Sequence, residues 1–475
     1  MVRKNHSADK PDSTFFAGWG ILVPLVLSWS SAVAALYLLI RPPAGLTPIQ
    51  GQTAALPIFT VGQWATARLP EQLTALVFFL LAMLLGVAPA DVVFSGFQSS
   101  ALWMVFAGLV IALAAKTTGL SERLARGIAL RLDRHYASLI GGILGVGVLL
   151  GFLMPSSMGR VVLLMPIAVA LAQSLGFEPG SNGRTGVILA AAFGTFLPSF
   201  TILPANVPNM VLLGAAESLY HVTPLYGEYL LLHFPVLGLL KSLLILGLIL
   251  WRYPDRPRPP SHNPESGPLS PNEWKMAGIL ALSIGFWMTD FIHHVSPAWI
   301  ALAAAVLLLL PRLGLVSNRQ FSTEINYSPL LFVAGVIGLG TLISYSGLGT
   351  RLAGYLTAVL PLAPGNHALN FLSLALVSMV TGLIATMPGV PAVLTPLSEH
   401  IAQAAGLPVK TVLMTQVLGF STPLFLYQAP PLVIAMQIAG ERFRPAMLLC
   451  LQLALLSLVL LMPLDYLWWH WLGWI

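Results

Sequence analysis

The chain has 475 residues, of which 57% are hydrophobic and only 8% charged, with a formal net charge of +6 at pH 7. An ordinary soluble domain carries roughly a quarter charged residues, so lipid is the solvent for most of this chain and a sizeable soluble domain is excluded. A single cysteine, Cys450, excludes intrachain disulfides and cysteine-based metal sites, and the positive charge reads as topology rather than nucleic-acid binding, because cytoplasmic loops accumulate Lys and Arg.

Residues 1–17 mix Arg3, Lys4 and Lys10 with Asp9 and Asp12 and are expected to form a cytoplasmic N-terminal segment. The apolar run 18–40 is long enough, at about 20 residues, to cross a bilayer core as helix. It is too long for a signal-peptide core and shows no evident cleavage site, so it is expected to be retained. With the runs 50–66 and 72–88 it makes a group of scaffold helices over 18–98. A first repeat follows over 99–251: a span at 99–116, a broken stretch at 138–176 expected to be a re-entrant hairpin, a broken helix at 184–219 and a span at 226–251. Residues 252–274 place Arg252, Arg256 and Arg258 among Pro254, Pro257, Pro259 and Pro260, a composition that cannot stay helical and predicts a cytoplasmic linker. The second repeat, 275–475, has spans at 275–294, 297–311 and 329–346, a hairpin at 366–405, a broken helix at 409–438 and a last span at 445–470.

The repeat is visible residue by residue. Gly119-Leu120-Ser121-Glu122-Arg123-Leu124-Ala125 matches Gly347-Leu348-Gly349-Thr350-Arg351-Leu352-Ala353 at an offset of 228. Pro155 to Gly159, with Pro166 downstream, matches Ala385 to Gly389, with Pro396 downstream, at 230; Asn206-Val207-Pro208-Asn209 answers Ala429 to Leu432 at 223. Matches in one order at nearly constant offset point to an internal duplication, the best sequence pointer to a transporter and its site. The segment around Gly119 carries Lys116, Arg123, Arg126, Arg131 and Arg134, whereas its copy from 347 to 363 has only Arg351. The first copy is therefore expected inside the cell and the second outside, which makes the repeats inverted.

Pro, Gly and small polar residues that interrupt apolar stretches predict broken helices, tolerated at membrane depth only where protein or water covers the backbone. The interruptions are Met154 to Arg160 and Pro198 to Asn209, with copies at Thr386 to Pro391 and Ser421 to Pro431. Half-helix N-termini there would present partial positive charge to an anion. Arg160, just after a hairpin tip, either grips a carboxylate or oxyanion bidentately or snorkels to an acid. Asn206 and Asn209 either donate to substrate or cap a half-helix. Ser156, Ser157 and Thr386 either ligate an ion or cap, and Gly389 completes the second tip. Glu217 and Glu399 read as interfacial carboxylates, His293-His294 as an interfacial pair, and Trp468, Trp469, Trp471 and Trp474 as an aromatic belt. A phosphate-binding loop, a metal-ligand cluster and a nucleophile elbow are all missing from the sequence.

On these motifs the sequence resembles the divalent anion/sodium symporter family, within the ion transporter superfamily that also holds arsenite and citrate permeases. The likeness spans residues 45 to 470. Ser156-Ser157-Met158 and Thr386-Met387-Pro388 stand where that family has Ser-Asn-Thr, and Val207-Pro208-Asn209 and Pro430-Pro431-Leu432 stand at its Pro-Pro-Asn-like breaks, so the chain looks like a divergent member. The resemblance implies an all-α integral membrane protein with two inverted repeats, about 11 transmembrane helices, two re-entrant hairpins and discontinuous helices. It implies a homodimer in the inner (plasma) membrane and elevator-type symport of a carboxylate or inorganic oxyanion, with Na+ as the coupling ion at Ser156, Ser157 and Thr386 and no cofactor. The missing asparagines leave sodium-independent exchange or proton coupling as the nearer rival, and a transport-inactive sensor or partner subunit as a third. A membrane-embedded enzyme is disfavoured because the deep spans are expected to hold almost no titratable groups.

Overall fold

The computed structural model describes residues 13–42, 47–66, 68–120, 123, 135–154, 156–257, 268–313 and 315–475. Most of the basic arm after Leu120, the first twelve residues and the centre of the linker therefore lie outside the described residues. Among the described residues the regular structure is all helical. Six helices are long and apolar enough to cross a membrane, from Ser100–Thr117 to Phe443–Trp471, and six further apolar helices are shorter. The short ones include Val409–Phe420 and Pro430–Ala439, the halves of the second broken helix. Their outward faces carry large apolar side chains, such as Leu84 at 73% exposure, Trp251 at 70% and Val306 at 52%, a surface suited to hydrocarbon rather than water.

The duplication is visible in three dimensions. Ser100–Thr117 and Ser328–Tyr345 have the same 18-residue length at the 228-residue offset of the sequence match. Each is packed by the helix that precedes the other: Glu71–Leu84 lies on Ser328–Tyr345, and Pro297–Leu309 lies on Ser100–Thr117. The repeats are thus interlocked through exchanged scaffold helices. Within each repeat the first arm of the hairpin packs on the first half of the broken helix, Tyr136–Leu153 on Asn182–Phe196 and His367–Leu394 on Val409–Phe420. Glycine permits both approaches. A Cβ on Gly147 would lie 2.5 Å from the Gly194 carbonyl carbon, and one on Gly419 would lie 2.2 Å from the Ser378 Cβ.

The hairpins differ. In the first, Tyr136–Leu153 ends at Met154 and Ser157–Ser174 begins after Ser156, both of these cap residues in extended backbone. The second is helical from His367 to Leu394 except at Thr386, whose φ of 63° and ψ of 170° break the helix at one residue. Pro388 fits just beyond that break, because a first-turn N–H has no intrahelical partner to lose. Each repeat closes with a long helix, Tyr226–Arg252 and Phe443–Trp471, interrupted by a π turn at Phe234–Leu240 and at Ser457–Leu461. Pro235 and Pro463 explain the two bulges, since each removes a ladder donor and crowds the carbonyl one turn before it.

Candidate functional site

In the first repeat the chain leaves helix at Leu197 after Asn182–Phe196 and re-enters it at Val207–Tyr220. Asn206 caps the second half: its Oδ1 accepts from the Asn209 amide at 3.1 Å, while its Nδ2 donates to the Ser199 carbonyl at 2.9 Å. Asn209 ties the break together by donating from Nδ2 to the Phe200 and Ile202 carbonyls, at 3.1 and 3.0 Å; its Oδ1 is buried and accepts nothing. Ser156 caps the hairpin helix, accepting from the Gly159 amide at 3.1 Å. Capping is therefore the geometry of Ser156 and Asn206, and Asn209 adds a backbone staple.

Arg160 joins these pieces. Fully buried, it donates to the Met154 carbonyl, to the Thr195 carbonyl at 3.0 Å, to the Ala205 carbonyl at 2.9 Å and to Ser157 Oγ at 3.0 Å. One guanidinium thus ties the hairpin tip, the end of the first half-helix and the residue before Asn206. It neither snorkels nor ion-pairs here: four protein oxygens take its donors. Four charge-assisted bonds offset the cost of burying an unpaired cation.

In the second repeat the break runs from Ser421 to Ala429, between Val409–Phe420 and Pro430–Ala439. No side chain caps Pro430–Ala439 as Asn206 caps its counterpart; instead Gln428 ties the loop before it, its Oε1 accepting from the Leu424 and Phe425 amides at 2.9 Å each. Thr386 and Gly389 lie at the tip of the second hairpin, and among the described residues no hydrogen bond joins them to the Arg160 cluster. The two breaks nevertheless meet, because the Phe200 and Phe420 rings are 5.7 Å apart. The repeats also cross over at the hairpins: Val207–Tyr220 packs on His367–Leu394, and Pro430–Ala439 packs on Ser157–Ser174.

Several residues that sequence reasoning passed over belong to this region. Lys241, one residue past the π turn, is buried and donates to the Ser421 carbonyl and to Thr422 Oγ1, both at 3.1 Å. His233 and Asp465 are also fully buried. The expectation that the deep spans hold almost no titratable groups is thereby corrected. A lone Lys inside the run 226–251 and a lone Asp inside 445–470 were the available signals, since an ionisable residue within a span is a functional candidate by default. Glu217 accepts from the Ser100 amide and hydroxyl at 2.9 and 2.7 Å, which makes it the cap of a membrane helix rather than an interfacial carboxylate. Glu399 is exposed as expected. His293 shapes a turn by accepting from the Val295 amide at 3.0 Å. Trp469 departs from the aromatic belt: it is fully buried against Phe371 and His233, at 5.2 and 5.6 Å between ring centres. A cavity of about 330 Å3 lies away from all this, between Pro271–Met288 and Pro297–Leu309, with an apolar lining.

A multi-pass helical membrane protein with duplicated hairpins and broken helices has the build of a carrier. The chain belongs to the citrate transporter family, whose family model matches residues 61–419, and the resemblance to the divalent anion/sodium symporters and their superfamily stands. Over 95% of its length it is 23% identical to a membrane protein of Cupriavidus necator, covering 94% of that chain. It is 26% identical over 70% of its length to the chloroplastic dicarboxylate transporter 2 of Spinacia oleracea, covering 61% of that protein. An L-tartrate/succinate antiporter of Escherichia coli is 24% identical over 72% of this chain and 76% of its own. Among solved structures, the YdaH transporter of Alcanivorax borkumensis shares the fold, with a TM-score of 0.57 at 16% identity, over 96% of this chain and 99% of that one.

Proposed function

We propose that the protein is a secondary transporter of a small dicarboxylate-class anion in the inner membrane of a bacterium, working without sodium at its first break. One observation carries the reading. Arg160 brackets two half-helix N-termini at once, holding Met154 before the hairpin helix and Ala205 before Val207–Tyr220. Two helix N-termini and a fixed guanidinium converge on one region, which raises the local positive potential that favours an anion. The dicarboxylate class is supported by what the spinach and Escherichia coli relatives are named for. Sodium independence is supported by the same guanidinium, because it occupies carbonyl oxygens of the kind a sodium ion would need.

Proteoliposomes preloaded with unlabelled succinate or tartrate are expected to take up the labelled anion by counterflow, equally in sodium and in potassium buffers. Failure of every small carboxylate and oxyanion to exchange would overturn the reading. A second reading, sodium-coupled symport, is favoured by the buried Asn209 Oδ1, an acceptor with no donor; counterflow or thermal stabilisation that vanishes when potassium replaces sodium would establish it instead. The remaining parts of the reading are an inverted arrangement of the repeats, an N-terminus in the cytoplasm, a homodimer built on the interlocked scaffold helices, and hairpins with broken helices that move as an elevator. Mass measurement of the detergent-solubilised protein and cysteine accessibility from each side of the membrane test them.

A further inference from the structure

The closing helix of the first repeat starts at Tyr226 after Leu225, whose apolar side chain cannot cap it. The cap comes from 64 residues away: Asp290, fully buried, accepts the Tyr226 amide on Oδ2. Asp290 opens the short turn Asp290–His293 just after Pro271–Met288. Trp287, near the end of that helix, stacks on the Tyr226 ring with 5.4 Å between centres and 24° between planes, and is itself held by donating its indole N–H to the Pro297 carbonyl at 3.1 Å. Gly227 lies against the same carboxylate, since a Cβ there would meet only Asp290 Oδ1, at 3.5 Å.

Two other residues of the same turn reach the breaks. Glu228 takes the Lys410 ammonium at 2.6 and 2.7 Å, at the start of the half-helix Val409–Phe420. Tyr229 donates its hydroxyl at 2.9 Å to the Phe200 carbonyl, which Asn209 also holds inside the first break. Further along, the closing helix packs on Tyr136–Leu153, Asn182–Phe196 and Phe443–Leu456. Pro271–Met288 packs instead on Pro297–Leu309, which lies on Ser100–Thr117. One turn of helix therefore joins both breaks to the scaffold helices, and Asp290 with Trp287 is the joint on the scaffold side. A displacement of the breaks relative to Pro271–Met288 carries Tyr226 away from Asp290. The joint is slight for a buried carboxylate: Oδ1 is buried and accepts nothing, whereas Glu217 takes two donors from Ser100 where it caps a helix. A permanent staple gains from every donor it can collect; one bond and one stacked ring make a contact that can part and re-form.

We propose that Asp290 is a latch: a positioning residue that fixes the closing helix, and through it both breaks, against the scaffold in this conformation, and that lets go of Tyr226 once in each transport cycle. The proposal deepens the transport reading and rests on it. No covalent bond changes; the Tyr226 amide and the Asp290 carboxylate part and each takes up water. Water is at hand, because the Lys410 and Glu228 side chains in the same turn are 36% and 30% exposed. A carboxylate that only capped the helix would stay on Tyr226 throughout the cycle.

The test uses the full-length protein in liposomes, with Cys450→Ala as the background for added cysteines. Counterflow of labelled succinate, tartrate and other small carboxylates and oxyanions checks transport first, and failure of all of them would overturn the transport reading and this proposal with it. With an exchanging anion in hand, Gly227→Cys leaves Asp290 in place and puts a thiol beside it. Alkylation of that thiol by a water-soluble maleimide is expected to speed up several-fold when saturating anion sets the carrier cycling. A rate that the anion leaves unchanged overturns the latch while the transport reading stands. Adding Asp290→Cys allows the two segments to be cross-linked by oxidation, which is expected to abolish counterflow until dithiothreitol restores it. Cross-linked protein that exchanges at the reduced rate shows that the segments stay together through the cycle and overturns the latch; if the double variant does not exchange even when reduced, the alkylation rate alone decides.

Discussion

The two breaks do the same job with different chemistry. The first is closed from within its own repeat: Arg160, Asn206 and Asn209 come from the hairpin and broken helix they stabilise, and they donate to the Thr195, Ala205, Ser199 and Phe200 carbonyls there. The second borrows its cation, Lys241, from the other repeat, and Gln428 ties the loop before its second half-helix instead of capping it. Its hairpin turns at Thr386 in a backbone region that non-glycine residues seldom adopt. Duplicated architecture thus does not require duplicated side chains, and the second break has one fewer fixed constraint than the first.

The most damaging way to test that contrast is Arg160→Met, which strands the Met154, Thr195 and Ala205 carbonyls in a dry interior. Each unsatisfied buried acceptor costs about 1 to 3 kcal/mol, so the variant is expected to lose counterflow and melt far earlier, and Arg160→Lys is expected not to rescue it, lacking the fork that reaches several oxygens. A variant that exchanges normally would show that the first break is not held by the guanidinium. The buried pair Arg184–Glu441, with side chains only 7% and 8% exposed, joins the first half-helix to the end of the second repeat's Pro430–Ala439. Arg184→Ala and Glu441→Ala should each cost about 3 kcal/mol; the double variant should cost less than their sum, as a thermal-shift double-mutant cycle will read.

Thr386→Gly sharpens the comparison in the opposite direction. Relief of the positive φ is worth about 1 kcal/mol, so the variant should melt later, whereas Gly at the matched Ser156, whose φ is −137°, has no such strain to release and loses a cap, so it should only destabilise. Asn206→Ala removes a cap worth about 1 kcal/mol, detectable as a modestly lowered melting temperature. The smallest effect is a pH effect outside the membrane. Arg123, 2.5 Å from Glu273, and the Ser270 amide hold the Glu273 carboxyl well below the usual carboxylate range. Folding lowers this pKa, so its contribution is full above about pH 4.5 and is lost as pH falls toward the depressed value. Glu273→Gln should erase that acid-side slope and slightly lower the melting temperature near neutrality, where the contribution is full.

Much of this was legible in the sequence for a physical reason: apolar length and helix-breaking residues dictate spans and breaks without help from tertiary structure. The 228-residue offset reappears as two equal helices, and the interruptions at Pro198–Asn209 and Ser421–Pro431 reappear as the two breaks. The tips at Ser156 and Thr386 fall where they were expected. What the sequence concealed depends on rotation about helix axes. Nothing in the run 226–251 says that Lys241 turns toward Ser421, because that direction is set by a π turn whose presence follows from packing as well as from Pro235. Trp469 reads like its neighbours in an interfacial cluster, yet it alone of Trp468 and Trp469 turns fully inward. The exchange of Glu71–Leu84 and Pro297–Leu309 between repeats leaves no trace in hydropathy, since lipid and a partner helix are equally apolar environments.

That exchange sets a timetable for biogenesis. Glu71–Leu84 emerges early from the ribosome, but the surface it covers belongs to Ser328–Tyr345, roughly 240 residues later. At about 5 to 20 residues per second, the nascent chain waits on the order of ten to fifty seconds with that face turned to lipid or to a chaperone, so the first repeat is inserted well before it can be assembled.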